Sequence, residues 1–252
     1  MDLGLRNKNI LITGSTKGLG KATALLFAQE GANVVIQGRN AEETEEVAQK
    51  ISQEYQVTTL GLQADLSNEN VAEQLFERVM KEWGSIDVLV NNAGIWPTAY
   101  VADMEKEEFE RTLYLNLEVP YILCRCMVRH LLKNNRAGKI VNVVSQAAFH
   151  GSTTGHAHYA SSKAGLVAFT KSLAREVAKK QIQVNAIAPG IMQTPMVQDA
   201  YHENRDYYDG RIPLGYAAMP EQVGYPIIFL ASNKADYLTG ITIDATGGML
   251  MR

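Results

Sequence analysis

Lys8-Asn9-Ile10-Leu11-Ile12-Thr13 has the composition of a short buried strand, and it breaks into Gly14-Ser15-Thr16-Lys17-Gly18-Leu19-Gly20 ahead of a helical stretch from Lys21 to Glu30. Few architectures accept a strand, a glycine-rich turn and a helix N-terminus in that order. Glycine backbone lets a ligand approach closely, and the first amides of a helix have no intrahelical partner, so together they form an anion site. The spacing Gly-x-x-x-Gly-x-Gly departs from the Gly-x-Gly-x-x-Gly dinucleotide fingerprint, which leaves a plain tight turn as the other reading. The flanking strand and helix favour phosphate binding and nominate Gly14, Ser15, Thr16, Lys17, Gly18, Leu19 and Gly20 as cofactor contacts.

The alternation continues. Strand patterns at 32–37, 58–63, 87–91, 139–144 and 183–188 are interleaved with helical patterns at 41–54, 69–83 and from Tyr159 to about Ala178. This predicts right-handed crossovers and an α/β fold of Rossmann type, a doubly wound parallel sheet with helices on both faces. The chain's 252 residues, 46% hydrophobic, suit one domain spanning 1–252.

Ligands of such a sheet bind at the carboxyl ends of the strands. Past the second strand, where NAD binders place an acid on the ribose 2′-hydroxyl, stand Gly38 and Arg39. Arg39 and Lys17 would accept a 2′-phosphate, so the expected cofactor is NADP(H), with NAD as the other option. Asp65 and Leu66 follow the third strand, where they would meet the adenine, although Asp65 could instead cap the next helix. The fourth strand ends in Asn91-Asn92-Ala93-Gly94, small and amide-rich, as a segment lying against a cofactor or a neighbouring backbone would be. Trp96 and Pro97 open the following loop and either edge the substrate pocket or stand exposed. Asn116, set among Leu113, Leu115 and Leu117, must find polar partners or cost stability.

Ser145 closes the fifth strand, and Tyr159-Ala160-Ser161-Ser162-Lys163 opens the long helix. A phenol and an ammonium four residues apart share a helix face. Free tyrosine titrates near pH ~10, and a neighbouring cation favours its phenolate. Taken in chain order, the glycine turn, Asn91 to Gly94, Asn116, Ser145, Tyr159 and Lys163 resemble the classical short-chain dehydrogenase/reductase family, and the resemblance runs to the tail Leu238-Thr239-Gly240-Ile241-Thr242-Ile243-Asp244. It implies that Tyr159 is the general acid in carbonyl reduction and the base in alcohol oxidation. It further implies that Lys163 lowers the Tyr159 pKa and holds the nicotinamide ribose, that Ser145 orients the substrate oxygen, and that Asn116 helps place a water in a proton relay. Pro189, Gly190 and Thr194 would meet the nicotinamide end, and a variable substrate lid would cover about 191–218, including the tyrosine-rich stretch Gln198 to Tyr208.

Phe149 to His158 lies between Ser145 and Tyr159 and holds His150, His156 and His158. These would contact a hydroxylated substrate or else be solvated loop residues; a metal is set aside because no local carboxylate or cysteine joins them. Ala164 to Phe169 is apolar on all sides, whereas one apolar stripe suffices to cover a sheet. Its outer face is therefore expected to meet another subunit, in keeping with the homotetramers common in the family, and Gly247-Gly248 would lie in a second contact.

With 24 Lys+Arg against 27 Asp+Glu the net charge is −3, which excludes a global field for nucleic acid. No run of 18 apolar residues occurs and the start lacks a leader pattern, so a cytoplasmic protein is expected. Cys124 and Cys126, two apart in a helical pattern, read as reduced packing residues. The leading expectation is an NADP(H)-dependent oxidoreductase interconverting a carbonyl and an alcohol, on a sugar, polyol or other polar keto compound. The alternative is a 3-oxoacyl thioester reductase, with Arg129, Arg136, Lys179 and Lys180 available to receive an acidic carrier. A non-catalytic NADP(H) sensor ranks behind both, since it would not need Tyr159, Lys163, Ser145 and Asn116 together.

Overall fold

A computed structural model describes residues 2–152, 154–195, 197, 201 and 203–252. Met1 of the leader reading, Thr153 of the histidine stretch and Met196, Gln198, Asp199, Ala200 and His202 of the expected lid lie outside the described residues.

In chain order the strands are β1 (Asn9–Ile12), β2 (Asn33–Gly38), β3 (Thr59–Gln63), β4 (Val88–Asn91), β5 (Gly138–Val143), β6 (Ile182–Pro189) and β7 (Thr242–Ala245). Among the described residues they form one parallel sheet in the order β3-β2-β1-β4-β5-β6-β7. The main helices are α1 (Gly18–Gln29), α2 (Ala41–Tyr55), α3 (Val71–Trp83), α4 (Lys106–Leu113) and α5 (Val119–Lys133). They are followed by α6 (Ala147–His150), α7 (Ala157–Val177), α8 (Arg205–Asp209) and α9 (Pro220–Ala231).

β1 shows why the sheet is buried on both sides. Ile10 and Ile12 join one core with Phe27, Ile36 and Ile51 beneath α1, α2 and α9, while Leu11 joins the opposite core with Leu75, Leu89, Leu123 and Leu131 beneath α3, α5 and α7. Strands covered on both faces read as continuous apolar runs, which is the composition that betrayed them. β1 pairs with β2 on one side and β4 on the other, so strand order reverses there and a crevice opens above the strand ends.

Two local features depart from simple periodicity. α1 begins at Gly18, three residues before the expected start, so Gly18 and Gly20 belong to its first turn. Residues Tyr114–Glu118 form a single π-helical turn between α4 and α5, and it carries Asn116. Such turns interrupt the regular helix ladder and occur often at functional sites.

Candidate active site

A cleft of about 580 Å³ follows the carboxyl ends of the strands. Of the expected cofactor residues, Gly14, Thr16, Lys17, Gly18, Leu19, Arg39, Asp65, Leu66, Asn92, Ala93, Gly94, Pro189, Gly190 and Thr194 line it, as do Ser145, Tyr159 and Lys163. Ser15 does not. Its amide donates to Gln37 O at 2.9 Å, and its buried hydroxyl donates to Ile12 O and accepts from the Gln37 amide, so the side chain stitches β1 to β2 instead of facing a ligand. Gly20 is also absent from the wall; a Cβ there would collide with Gly14 O and lie 2.6 Å from Asn92 Nδ2, so it permits close packing of turn and helix.

The glycine turn is held from behind. Thr13 Oγ1 accepts from the Asn92 and Ala93 amides at 3.0 Å each, and Asn92 Nδ2 donates to Thr13 O and Gly14 O. Gln37, buried at the end of β2, accepts from the Gly14 amide at 2.7 Å and donates to Ala64 O at 2.8 Å. Sequence reading missed Thr13 and Gln37 as site residues. A lone amide at the end of an otherwise apolar strand was the available clue for Gln37. The first turn of α1 has neither a side-chain cap nor an acidic residue, leaving its amides open to an anion.

At the far end of the cleft, a Cβ on Gly38 would run into the Thr16 side chain and lie 2.8 Å from Thr44 Oγ1. Position 38 therefore lacks an acid and also lacks room for one. Arg39 is exposed and makes no side-chain ion pair or hydrogen bond among the described residues. Lys17 differs from expectation: its Nζ sits 3.0 Å from Glu43 Oε1, because Glu43 lies in the first turn of α2 directly opposite. Asp65 does not cap α3, whose N-cap is Asn70; its carboxyl accepts from the hydroxyl and amide of Ser67, which hold it below the usual carboxylate range, with Arg39 adding to the effect.

The reactive groups meet in the middle. Lys163, 4% exposed, donates to Val143 O at 2.9 Å, and its Nζ lies 5.8 Å from the centre of the Tyr159 ring. Burial lowers Lys163 to about 8. Burial raises Tyr159 above its ordinary value, and a hydrogen bond with Ser145 pulls it partly back. Burial and Ser145 are the influences on Tyr159 in the protein itself, and Lys163 is not among them. Asn116 is fully buried behind the cleft. Its Oδ1 accepts from the Ile95 amide at 2.9 Å, and its Nδ2 donates to Ile95 O at 2.9 Å and to Ser162 Oγ at 3.2 Å; Ser162 Oγ donates in turn to Tyr159 O. The π turn thus ties the loop after β4 to the helix turn that carries Tyr159.

The histidines divide. His150 lines the cleft, but His156 and His158 are buried. His156 contacts Pro97 O through Nδ1 at 2.7 Å and stacks on Trp96 at 4.2 Å, so it supports Trp96, which does line the cleft. His158 lies 3.6 Å from Glu108. Neither lines the cleft, nor is either a solvated loop residue. Among the described residues no group of three or more His, Cys, Asp or Glu could hold a metal.

Among the described residues of 191–218, Ile191, Met192, Thr194, Tyr201, Tyr207, Tyr208 and Arg211 stand on the wall of the cleft. Thr194 packs over the glycine turn, 3.4 Å from where a Gly18 Cβ would stand. A Cβ on Gly247 would lie 2.6 Å from Ile212 and one on Gly248 3.0 Å from Pro213, so these glycines let the tail pack closely against the same segment.

The family described as enoyl-(acyl carrier protein) reductase matches residues 14–250. The chain is 38% identical over 249 residues to the 3-oxoacyl-[acyl-carrier-protein] reductase FabG of Aquifex aeolicus, covering 99% of this chain and 100% of that one. A structure from Beutenbergia cavernae, described as a candidate NAD(P)-dependent gluconate 5-dehydrogenase with bound NADP, superposes with a TM-score of 0.92 at 32% identity and covers 99% of both chains. One from Agrobacterium tumefaciens, described as a candidate 2-deoxy-D-gluconate 3-dehydrogenase with bound NADP, gives 0.90 at 32% identity and covers 98% of both. With the glycine turn, Ser145, Tyr159 and Lys163 gathered on one Rossmann cleft, the chain belongs to the short-chain dehydrogenase/reductase family and is an oxidoreductase acting on carbonyl and alcohol groups.

Proposed function

We propose that this protein reduces a polar ketone or aldehyde with NADPH, and oxidises the matching alcohol with NADP, at Tyr159. The observation that carries the reading is that Ser145, Tyr159 and Lys163 line one cleft whose far end presents Arg39 and excludes an acid at Gly38. The glycine turn and the open amides of α1 fit a pyrophosphate, Asp65 and Leu66 fit the adenosine, and Arg39 fits a 2′-phosphate. The nicotinamide supplies or accepts the hydride. The chain's own residues handle the proton. Ser145 orients the substrate oxygen, and Tyr159 gives that oxygen its proton during reduction or removes it during oxidation. Lys163 fixes the approach to Tyr159 and holds the ribose, and Asn116 acts by positioning. The phenol's ordinary value near 10 already leaves it protonated at neutral pH, the form that reduction uses, and burial moves it further in that direction.

The relatives' names support two substrate readings. Candidate gluconate dehydrogenases support a hydroxylated keto compound, and the Aquifex relative supports a 3-oxoacyl thioester. The basic residues nominated for a carrier give the second little help. Arg136 pairs with Asp87 just before β4, while Lys179 and Lys180 follow the end of α7, so all three stand at the strands' amino ends, opposite the cleft. We further propose a lid at 191–218 on a single domain, a cytoplasmic setting and a homotetramer. Among the described residues no helix is long and apolar enough to cross a membrane. On the outer side of α5 and α7, Tyr121 is 42% exposed and meets Phe169 edge-on at 6.0 Å, beside exposed Ala164 and Ala168. This apolar strip suits a second copy. Titration with NADPH and with NADH, followed by nicotinamide fluorescence, tests the cofactor reading; tighter binding of NADPH is expected, and a preference for NADH would overturn it.

A further inference from the structure

Resting on that reading, we infer that the substrate carries a carboxylate and that Arg211 binds it. The segment over the cleft has two arginines in the described residues 203–218, with opposite circumstances. Arg205 donates through Nε to Asp209 Oδ2 at 3.2 Å, and Asp209 also accepts from Tyr201 Oη at 2.8 Å and from the Ala217 amide at 3.1 Å. That arginine is neutralised inside the segment's own scaffold. Arg211 lines the cleft and has no carboxylate within ion-pair distance among the described residues; its one side-chain hydrogen bond there is from Nη1 to Tyr207 Oη at 3.1 Å.

Its surroundings hold it ready. The guanidinium lies 5.3 Å from the centre of the Tyr207 ring, and the next residue, Ile212, is buried against Tyr201 and Ala217 with Gly247 pressed close. A stacked guanidinium keeps its plane and leaves the remaining fork nitrogens for a planar bidentate acceptor, which a carboxylate is.

The charge of the cleft points the same way. Its lining cations are Lys17, Arg39, Arg111, Lys163 and Arg211, and its one described lining acid is Asp65, although the whole chain carries a net −3. Lys17, Arg39 and Asp65 belong to the nucleotide end and Lys163 to the reacting centre. Beside Ser145, Gln146 also lines the cleft, and its Oε1 is buried without a hydrogen-bond partner. It would accept from a substrate hydroxyl. The substrate class is therefore a hydroxylated keto acid and its hydroxy-acid product.

The test compares kcat/KM with NADPH for 5-keto-D-gluconate, neutral D-fructose and acetoacetyl-CoA, alongside D-gluconate binding to the NADPH-loaded protein by fluorescence. The keto acid should be preferred, and Arg211→Gln should lower the acid-to-fructose ratio by roughly 10- to 100-fold, mainly through KM, the worth of a charge-assisted pair. Arg211→Lys should restore part of it. Arg205→Gln, whatever it does to the segment, should keep the ratio. An unchanged ratio in Arg211→Gln, a preference for fructose or for the thioester, or gluconate binding that ignores Arg211 overturns the proposal while leaving the NADP(H) reading in place. Failure to bind NADPH would remove the underlying reading, and this proposal with it.

Discussion

The nucleotide half of the cleft and the described residues between Tyr201 and Ala218 are held together by different forces. In the first, Thr13, Gln37 and Asn92 link the ends of β1, β2 and β4 through hydrogen bonds of 2.7–3.0 Å, and glycines stand where any Cβ would clash. In the second, tyrosine rings meet at 5.3–6.2 Å and one carboxylate, Asp209, gathers three donors. Directional bonds between strand ends tolerate almost no displacement, whereas ring contacts can be exchanged for others of similar area. A dinucleotide needs the first kind of wall. A substrate site that differs between relatives can be built from the second.

If the halves are separable, removing the acid between them should stop chemistry and leave nucleotide binding alone. Tyr159→Phe should lower turnover by about 10²-fold or more, with NADPH affinity nearly unchanged by fluorescence titration; a parallel loss of affinity would show that the halves are coupled. Thr13→Val removes the acceptor for two amides. Each unpaired buried group costs about 1–3 kcal/mol, so thermal unfolding should fall by several degrees and the nucleotide should bind roughly 10-fold more weakly. Tyr208→Leu, in contrast, should move KM by a few-fold with little change in unfolding temperature.

Arg39→Ala should weaken NADPH by about 10-fold, the loss of a charge-assisted contact, and NADH hardly at all; equal losses would give Arg39 another role. The smallest effect concerns Lys163. Its pKa in the fold, about 8, lies below the ordinary 10.5, so its burial costs stability throughout the range below pH 8, and the cost is relieved as pH rises toward 10.5. Lys163→Met should therefore unfold about 2–4 °C higher than the wild type at pH 7, for a net gain of about 1 kcal/mol, and the gap should close by pH 10.

Much of this was legible because it is local. The composition of β1 announced a strand buried on both faces, the glycines announced a turn at a helix start, and the four-residue spacing of Tyr159 and Lys163 announced a shared face. What was illegible involves partners far along the chain. Ser15 stood in a phosphate-binding turn by spacing, yet Gln37, 22 residues on, draws it inward. Lys17 looked free until α2 placed Glu43 against it. His156 and His158 had the look of loop residues, and only the packing beside Trp96 and Glu108 buried them. Arg136, Lys179 and Lys180 offered charge without a location.

The sequence by itself determined the alternation, the family and the reacting pair, since these follow from periods of two and 3.6 residues and from neighbours within a turn. Tertiary structure alone decided which charges are answered. Lys17 and Arg39 both stand at the nucleotide end of the cleft, and only the packing of α2, which brings Glu43 within 3.0 Å of Lys17, leaves one paired and the other without an ion pair among the described residues. Side-chain charge is a property of the residue, but its cancellation depends on distance in space, which the order of residues does not encode.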